Sequence, residues 1–124
     1  MNTQSILLVE DNPDDIALML HALNDNRIAN PVVVAEDGEQ ALQTLFGTNE
    51  QAESGAPALI LLDLNLPKRN GLEVLRELRN HPDTRLVPVV ILTSSLEPSD
   101  RLNAYQAGAN SYLRKPVDFD EFVH

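Results

Sequence analysis

The sequence predicts an open, doubly wound α/β sheet of five parallel strands with helices on both faces, and three features predict it. Short apolar runs lack polar alternation, as strands buried on both faces do. Segments with helix-start signals separate them, and turn residues punctuate each junction. An alternating βαβαβαβαβα order with right-handed crossovers closes into this architecture.

The strands are ILLV (Ile6 to Val9), PVVVA (Pro31 to Ala35), ALILL (Ala58 to Leu62), VPVVIL (Val87 to Leu92) and SYLR (Ser111 to Arg114). The last is the weakest and suits an edge. Asn12 caps the first helix, with Pro13 at its first position and Asp15 three residues past the cap. Ile16, Met19, Leu20 and Leu23 then form an apolar stripe. Asp37 with Gln40, Asn70 with Glu73, and Asp118 with Glu121 repeat that spacing before Ala41/Leu42/Leu45, Val74/Leu75/Leu78 and Phe119/Phe122. The fourth helix begins at Pro98 and stops before Gly108. The polar stretch from 47 to 57 reads as a surface loop, and the last helix, barely begun at His124, reads as truncated.

The 124 residues suit one domain, 1–124. Nineteen acids against nine bases give a formal charge of −10, which repels a phosphate backbone and argues against nucleic-acid binding. Cysteine is absent, which excludes disulfides and is compatible with a reducing interior. The apolar runs are too short to cross a bilayer and the first residues lack a signal-peptide pattern, so the expectation is a cytoplasmic protein with no membrane partner. His21, His81 and His124 are scattered and read as surface residues.

In such sheets ligands gather at the carboxyl ends of the strands, beside the point where strand order reverses. Strand one ends in Glu10 and Asp11, strand three in Asp63, strand four in Thr93, Ser94 and Ser95, and strand five in Lys115 and Pro116. In the flavodoxin-like order 2-1-3-4-5, strands one and three are neighbours and three carboxylates crowd one pocket. Two unit charges about 4 Å apart repel by roughly 4 kcal/mol at an effective dielectric of about 20, so a cation must offset them. All-oxygen surroundings with room for water suit Mg²⁺. A lone carboxylate beside a cation, a hydroxyl and an ammonium is equipped to accept a phosphoryl group. Asp63 is then the nucleophile, Lys115 and the metal neutralise phosphoryl oxygens, and Thr93 donates to one of them.

Each feature alone has a plainer explanation. Glu10 and Asp11 could be acids at a helix start, Asp63 a turn former, Thr93 to Ser95 a cap cluster, Lys115 a strand end and Tyr112 a packed edge aromatic. Independent turn chemistry gives no reason for all of them to meet at one sheet edge. A flavin binder would need a phosphate cradle after strand one, where EDNPDD is acidic. An aspartyl phosphatase would place a second aspartate where Asn65 stands.

The motifs "LLVEDN", "LLDLNLPKRNG", "ILTSS" and "SYLRKP", in this order, resemble those of the receiver domain of two-component response regulators, the CheY-like fold. The resemblance implies Asp63 as phosphoacceptor and Asp11 as a direct Mg²⁺ ligand. Glu10 acts on the ion through water, and the backbone carbonyl of Asn65 completes the protein's ligands. It further implies Thr93 and Lys115 on the phosphoryl group, a cis bond before Pro116, and Tyr112 as the aromatic switch. Function is then Mg²⁺-dependent transfer from a sensor histidine kinase to Asp63, altering a protein-interaction surface. The alternative is a phosphorylation-independent pseudo-receiver, which would be expected to have lost one of these residues. "LLVEDNPDD", "LILLDLNLPKRNG" and "HPDTRLVPVVILTSS" are similar to the single-domain regulators that partner phytochrome kinases. That implies a phytochrome-type kinase and a homodimer through the fourth helix, fifth strand and fifth helix.

Overall fold

The computed structural model describes residues 4–47, 56–67, 70–94 and 97–115. Its elements run β1 (Ile6–Val9), α1 (Pro13–Asp25), β2 (Val32–Ala35), α2 (Gly38–Phe46), β3 (Leu59–Asp63), α3 (Gly71–Asn80), β4 (Val89–Thr93), α4 (Pro98–Gln106) and β5 (Ser111–Arg114). The strands form one parallel sheet in the order β2-β1-β3-β4-β5. The predicted fold class and strand order are those observed. The fifth helix, with Asp118, Phe119, Glu121 and Phe122, lies outside the described residues, as do 48–55 of the polar loop.

Three strands start later than the apolar runs suggest, β3 at Leu59 after Ala58 and two others where proline intervenes. Pro31 and Pro88 lack an N–H, so each offers only its carbonyl, accepting from Ile6 and Ile60 before the ladder begins at the next residue. Two strands also end later, because Asp63 and Thr93 continue the ladder despite their polarity.

Alternate residues of each strand face opposite sides, which gives two cores. Ile6, Leu8, Leu61, Val90 and Leu92 pack with Met19 and Leu23 of α1. Leu7, Val9, Ile60, Leu62, Val89 and Ile91 pack with residues of α2, α3 and α4, including Leu42, Val74, Leu75, Leu78 and Ala104. Within the predicted α1 stripe Met19 and Leu23 are buried, but Leu20 is 39% exposed. Three or four inward positions cover the narrow sheet face, so the flank of the stripe stays wet. His81 keeps a side chain that is 37% exposed while its ring stacks on Phe46 at 4.1 Å.

Asn12, Asp37 and Asn70 cap α1, α2 and α3 as the spacing predicts, their side chains accepting from backbone N–H groups of the first turn. The helix ends are equally informative. Beyond α4, Ala109 N–H donates to the Ala104 carbonyl and Gly108 N–H to that of Tyr105, with Gly108 at φ 110°. Beyond α1, Ile28 donates to Leu23 and Arg27 to Asn24, with Arg27 at φ 59°. Both are Schellman ends, one with the glycine this turn favours and one without.

Substitution at these two positions should act in opposite directions. Arg27 is exposed, so Arg27→Gly should raise unfolding free energy by about 0.5–1 kcal/mol by relieving left-handed strain. Gly108→Ala should lower it by at least about 1 kcal/mol, because an added Cβ would also lie 2.8 Å from the Arg79 side chain. Urea unfolding of both variants checks this, and equal midpoints would contradict it.

Candidate functional site

The site lies at the carboxyl edge of the sheet, where the ladder runs one residue past the strands. Glu10 N–H donates to the Ala35 carbonyl at 2.9 Å, Leu64 N–H to Leu92 at 3.1 Å, and Lys115 N–H to Thr93 at 2.7 Å. Backbone hydrogen bonds thus fix the chain where the chemistry-bearing side chains leave it. At Gly71 the start of α3 comes so close to the end of β3 that a Cβ would stand 2.4 Å from the Asp63 carbonyl oxygen. Any side chain there would displace Asp63.

Glu10 and Asp63 are buried, and Asp11 beside them is exposed. One carboxylate oxygen from each of the three lies within 4.8 Å of the others, a spacing that could hold a metal ion. The donors are all carboxylate oxygens and one of them opens to water, which fits a hard, partly hydrated divalent cation such as Mg²⁺.

Lys115 stands among these acids. Its Nζ lies 3.0 and 2.8 Å from Glu10 Oε1 and Oε2, 3.2 Å from Asp63 Oδ2 and 3.0 Å from Asp15 Oδ2. Asp63 Oδ1 accepts from the Asn65 N–H at 3.0 Å. Thr93 is fully buried at the end of β4, one residue beyond Leu92, the sheet partner of Asp63. Tyr112 does not join the carboxylates. Its ring packs on the α2–α4 core and its hydroxyl oxygen is enclosed. Ser95 and Pro116 lie outside the described residues.

The structure adds Asp15, which the sequence suggested only as a capping residue. Its N–H does donate to Asn12 Oδ1 at 3.1 Å, but its carboxylate turns to Lys115. Local spacing held no signal for this, since Glu10 and Asp11 precede the extended Asn12 cap and lie outside α1, and the partner is 100 residues away.

Burial pushes the Glu10 carboxyl up from 4.5 to about 7, with Asp63 adding to the effect and the hydrogen bond from Lys115 opposing it. Burial works against the charge on Lys115, but hydrogen bonds to Glu10 and Asp15 and the field of Asp63 outweigh it and raise its pKa.

Comparison with known proteins places these features in context. The model of the response regulator receiver domain matches residues 6–124. The chain is 42% identical over 110 residues to the response regulator Rcp1 of Synechocystis sp., covering 89% of this chain and 75% of Rcp1. The Mn²⁺-bound structure of Rcp1 superposes with a TM-score of 0.84 at 39% identity, covering 95% of this chain and 85% of that one. The bacteriophytochrome response regulator AtBRR gives a TM-score of 0.89 at 46% identity, covering 99% and 89%. The phosphorylated cyanobacterial phytochrome response regulator RcpA gives 0.85 at 38%, covering 97% and 86%.

The raised Glu10 value has a signed consequence for the metal-free protein. Folded Glu10 keeps its proton up to about pH 7, whereas in the unfolded chain it loses it near 4.5. Between those values the folded state binds more protons, so the contribution of Glu10 to stability declines as pH rises. Urea midpoints in chelator should therefore fall for this group from about pH 5 to about pH 8, and Glu10→Gln should flatten the slope. An unchanged slope in the variant would assign the titration elsewhere.

Proposed function

The chain belongs to the response regulator receiver domain family, whose members serve two-component signalling, and on that premise we propose that it is a phosphoacceptor switch acting as one receiver unit over 1–124. The observation that carries the proposal is Asp63, buried at the end of β3 with one carboxylate oxygen on the Asn65 N–H and the other facing Lys115. A sensor histidine kinase supplies the phosphoryl group from a phosphohistidine. An Asp63 oxygen attacks the phosphorus, and the P–O bond forms as the P–N bond breaks. The electron pair of that bond returns to the kinase imidazole.

Asp11, Asp63, the Asn65 carbonyl and, through water, Glu10 would hold Mg²⁺, which supplies charge neutralisation to the phosphoryl oxygens when bound. Support comes from the spacing of the three carboxylates and from the Mn²⁺-bound form of Rcp1. Thr93 donates its hydroxyl to one phosphoryl oxygen and Lys115 its ammonium to another. The phosphoryl group carries roughly −1.5 to −2 of charge, judged by other phosphoryl modifications, in place of the single charge of the free carboxylate, and the shift of Thr93 and Lys115 toward it is passed to Tyr112. The domain assists its own phosphorylation and dephosphorylation but carries a signal rather than turning over a metabolite.

The phytochrome response regulators among its relatives favour a phytochrome-type kinase in the cytoplasm as the donor. No helix among the described residues is long and apolar enough to cross a membrane. Leu102 and Tyr105 stand 58% and 41% exposed on α4, with Arg101 over the Tyr105 ring, and they support a homodimer through α4, β5 and the fifth helix.

Intact mass after incubation with acetyl phosphate tests the chemistry. Wild type should gain one phosphoryl group in Mg²⁺ and little in chelator, and Asp63→Asn should gain none. Folded wild type that gains none would point instead to a phosphorylation-independent pseudo-receiver. Sedimentation equilibrium tests the assembly: a doubly substituted Leu102→Asp, Tyr105→Ser protein should lose any dimer that wild type forms, and retention of that dimer would exclude this face.

A further inference from the structure

We infer that Asp15 is a positioning residue that parks the Lys115 ammonium, so that Glu10 and Asp63 can turn to a divalent cation without expelling it. The inference rests on the receiver reading of the site. Lys115 Nζ is shared among Glu10, Asp15 and Asp63. Two of these three carboxylates, with Asp11, make up the candidate cation cluster, and Asp15 does not. A cation entering that cluster competes with the ammonium for the same Glu10 and Asp63 oxygens, and two positive charges in one small site repel. Asp15 is the carboxylate still open to Lys115 at that moment.

The geometry suits such a role. Asp15 approaches from α1, its side chain 34% exposed and its backbone set by the Asn12 cap, whereas Glu10 and Asp63 approach from strand ends with side chains 2% and 7% exposed. A helix-start acid normally returns its carboxylate to the cap residue. Here Asn12 N–H instead faces Glu10 Oε1 at 3.4 Å, and Asp15 Oδ2 lies 3.0 Å from Lys115 Nζ.

Calorimetric Mg²⁺ titration, without any phosphoryl donor, is the test. Asp15→Asn should weaken Mg²⁺ binding by about threefold or more, the scale of a partly exposed ion pair, and Asp15→Glu should restore it. If Asp15 acts through Lys115, the effect disappears in a Lys115→Met background, where no ammonium competes. In metal-free protein, the Lys115 ammonium resonance should exchange faster with water in Asp15→Asn than in wild type. Thermal melts show that each variant is folded. Equal Mg²⁺ affinity for wild type and Asp15→Asn overturns the inference, as does an equal loss with Lys115→Met. Phosphorylation of wild type Asp63 from acetyl phosphate, measured alongside, keeps the two questions apart: uptake with an unmoved Mg²⁺ affinity overturns only the role of Asp15, and no uptake overturns the phosphoacceptor reading on which the inference rests.

Discussion

One ammonium among three carboxylates is the contact around which this end of the molecule is arranged. Glu10 and Asp63 are both buried at strand ends, where charge without a partner costs several kcal/mol. Lys115 supplies their counter-charge from the far edge of the sheet. Its single charge is shared among three carboxylates, and burial, with Asp63 adding to it, still holds the Glu10 carboxyl above its ordinary value. A site in that condition favours a further cation.

That arrangement depends on parallel pairing. In a parallel sheet every strand delivers its C-terminal residue to the same edge, and here hydrogen bonds one residue past β1, β3 and β5 fix Glu10, Leu64 and Lys115. Gly71 then lets α3 begin directly against the Asp63 backbone. The Asn70 cap and the β3 terminus are therefore one structural unit, and the turn between them serves both helix initiation and the site.

The opposite edge is held by different means. Arg79, at the end of α3, donates to the carbonyls of Thr84, Arg85, Val87 and Gly108 and to Asn110 Oδ1. Asn110 Oδ1 also accepts from Val89 N–H. One guanidinium thus ties the loop before β4 to the loop before β5. Those two strands carry Thr93 and Tyr112, so the bottom of the sheet sets the relative height of residues that matter at its top. Burial pushes the pKa of Arg79 down from its usual high value, a cost offset by its many acceptors.

Much of this was legible because it is local or periodic. Unalternating apolar runs identify strands buried on both faces, Asn12, Asp37 and Asn70 announce helix starts, and the residues just beyond the runs are those that meet at the edge. The strand limits at Pro31 and Pro88 follow from the prolines, which lack an N–H, and not from the apolar runs that include them. Leu20, placed in the apolar stripe of α1, is 39% exposed, because exposure depends on how much of a helix its neighbours cover, which no local pattern records. By itself the sequence determined the fold class and the residue types at the sheet edge, and the strand order came with the family its motifs resemble. Only the tertiary structure decided that Asp15 turns from its own helix to Lys115 and that Arg79 joins two loops, because both contacts link distant residues and a side chain takes the partner that folding brings within reach.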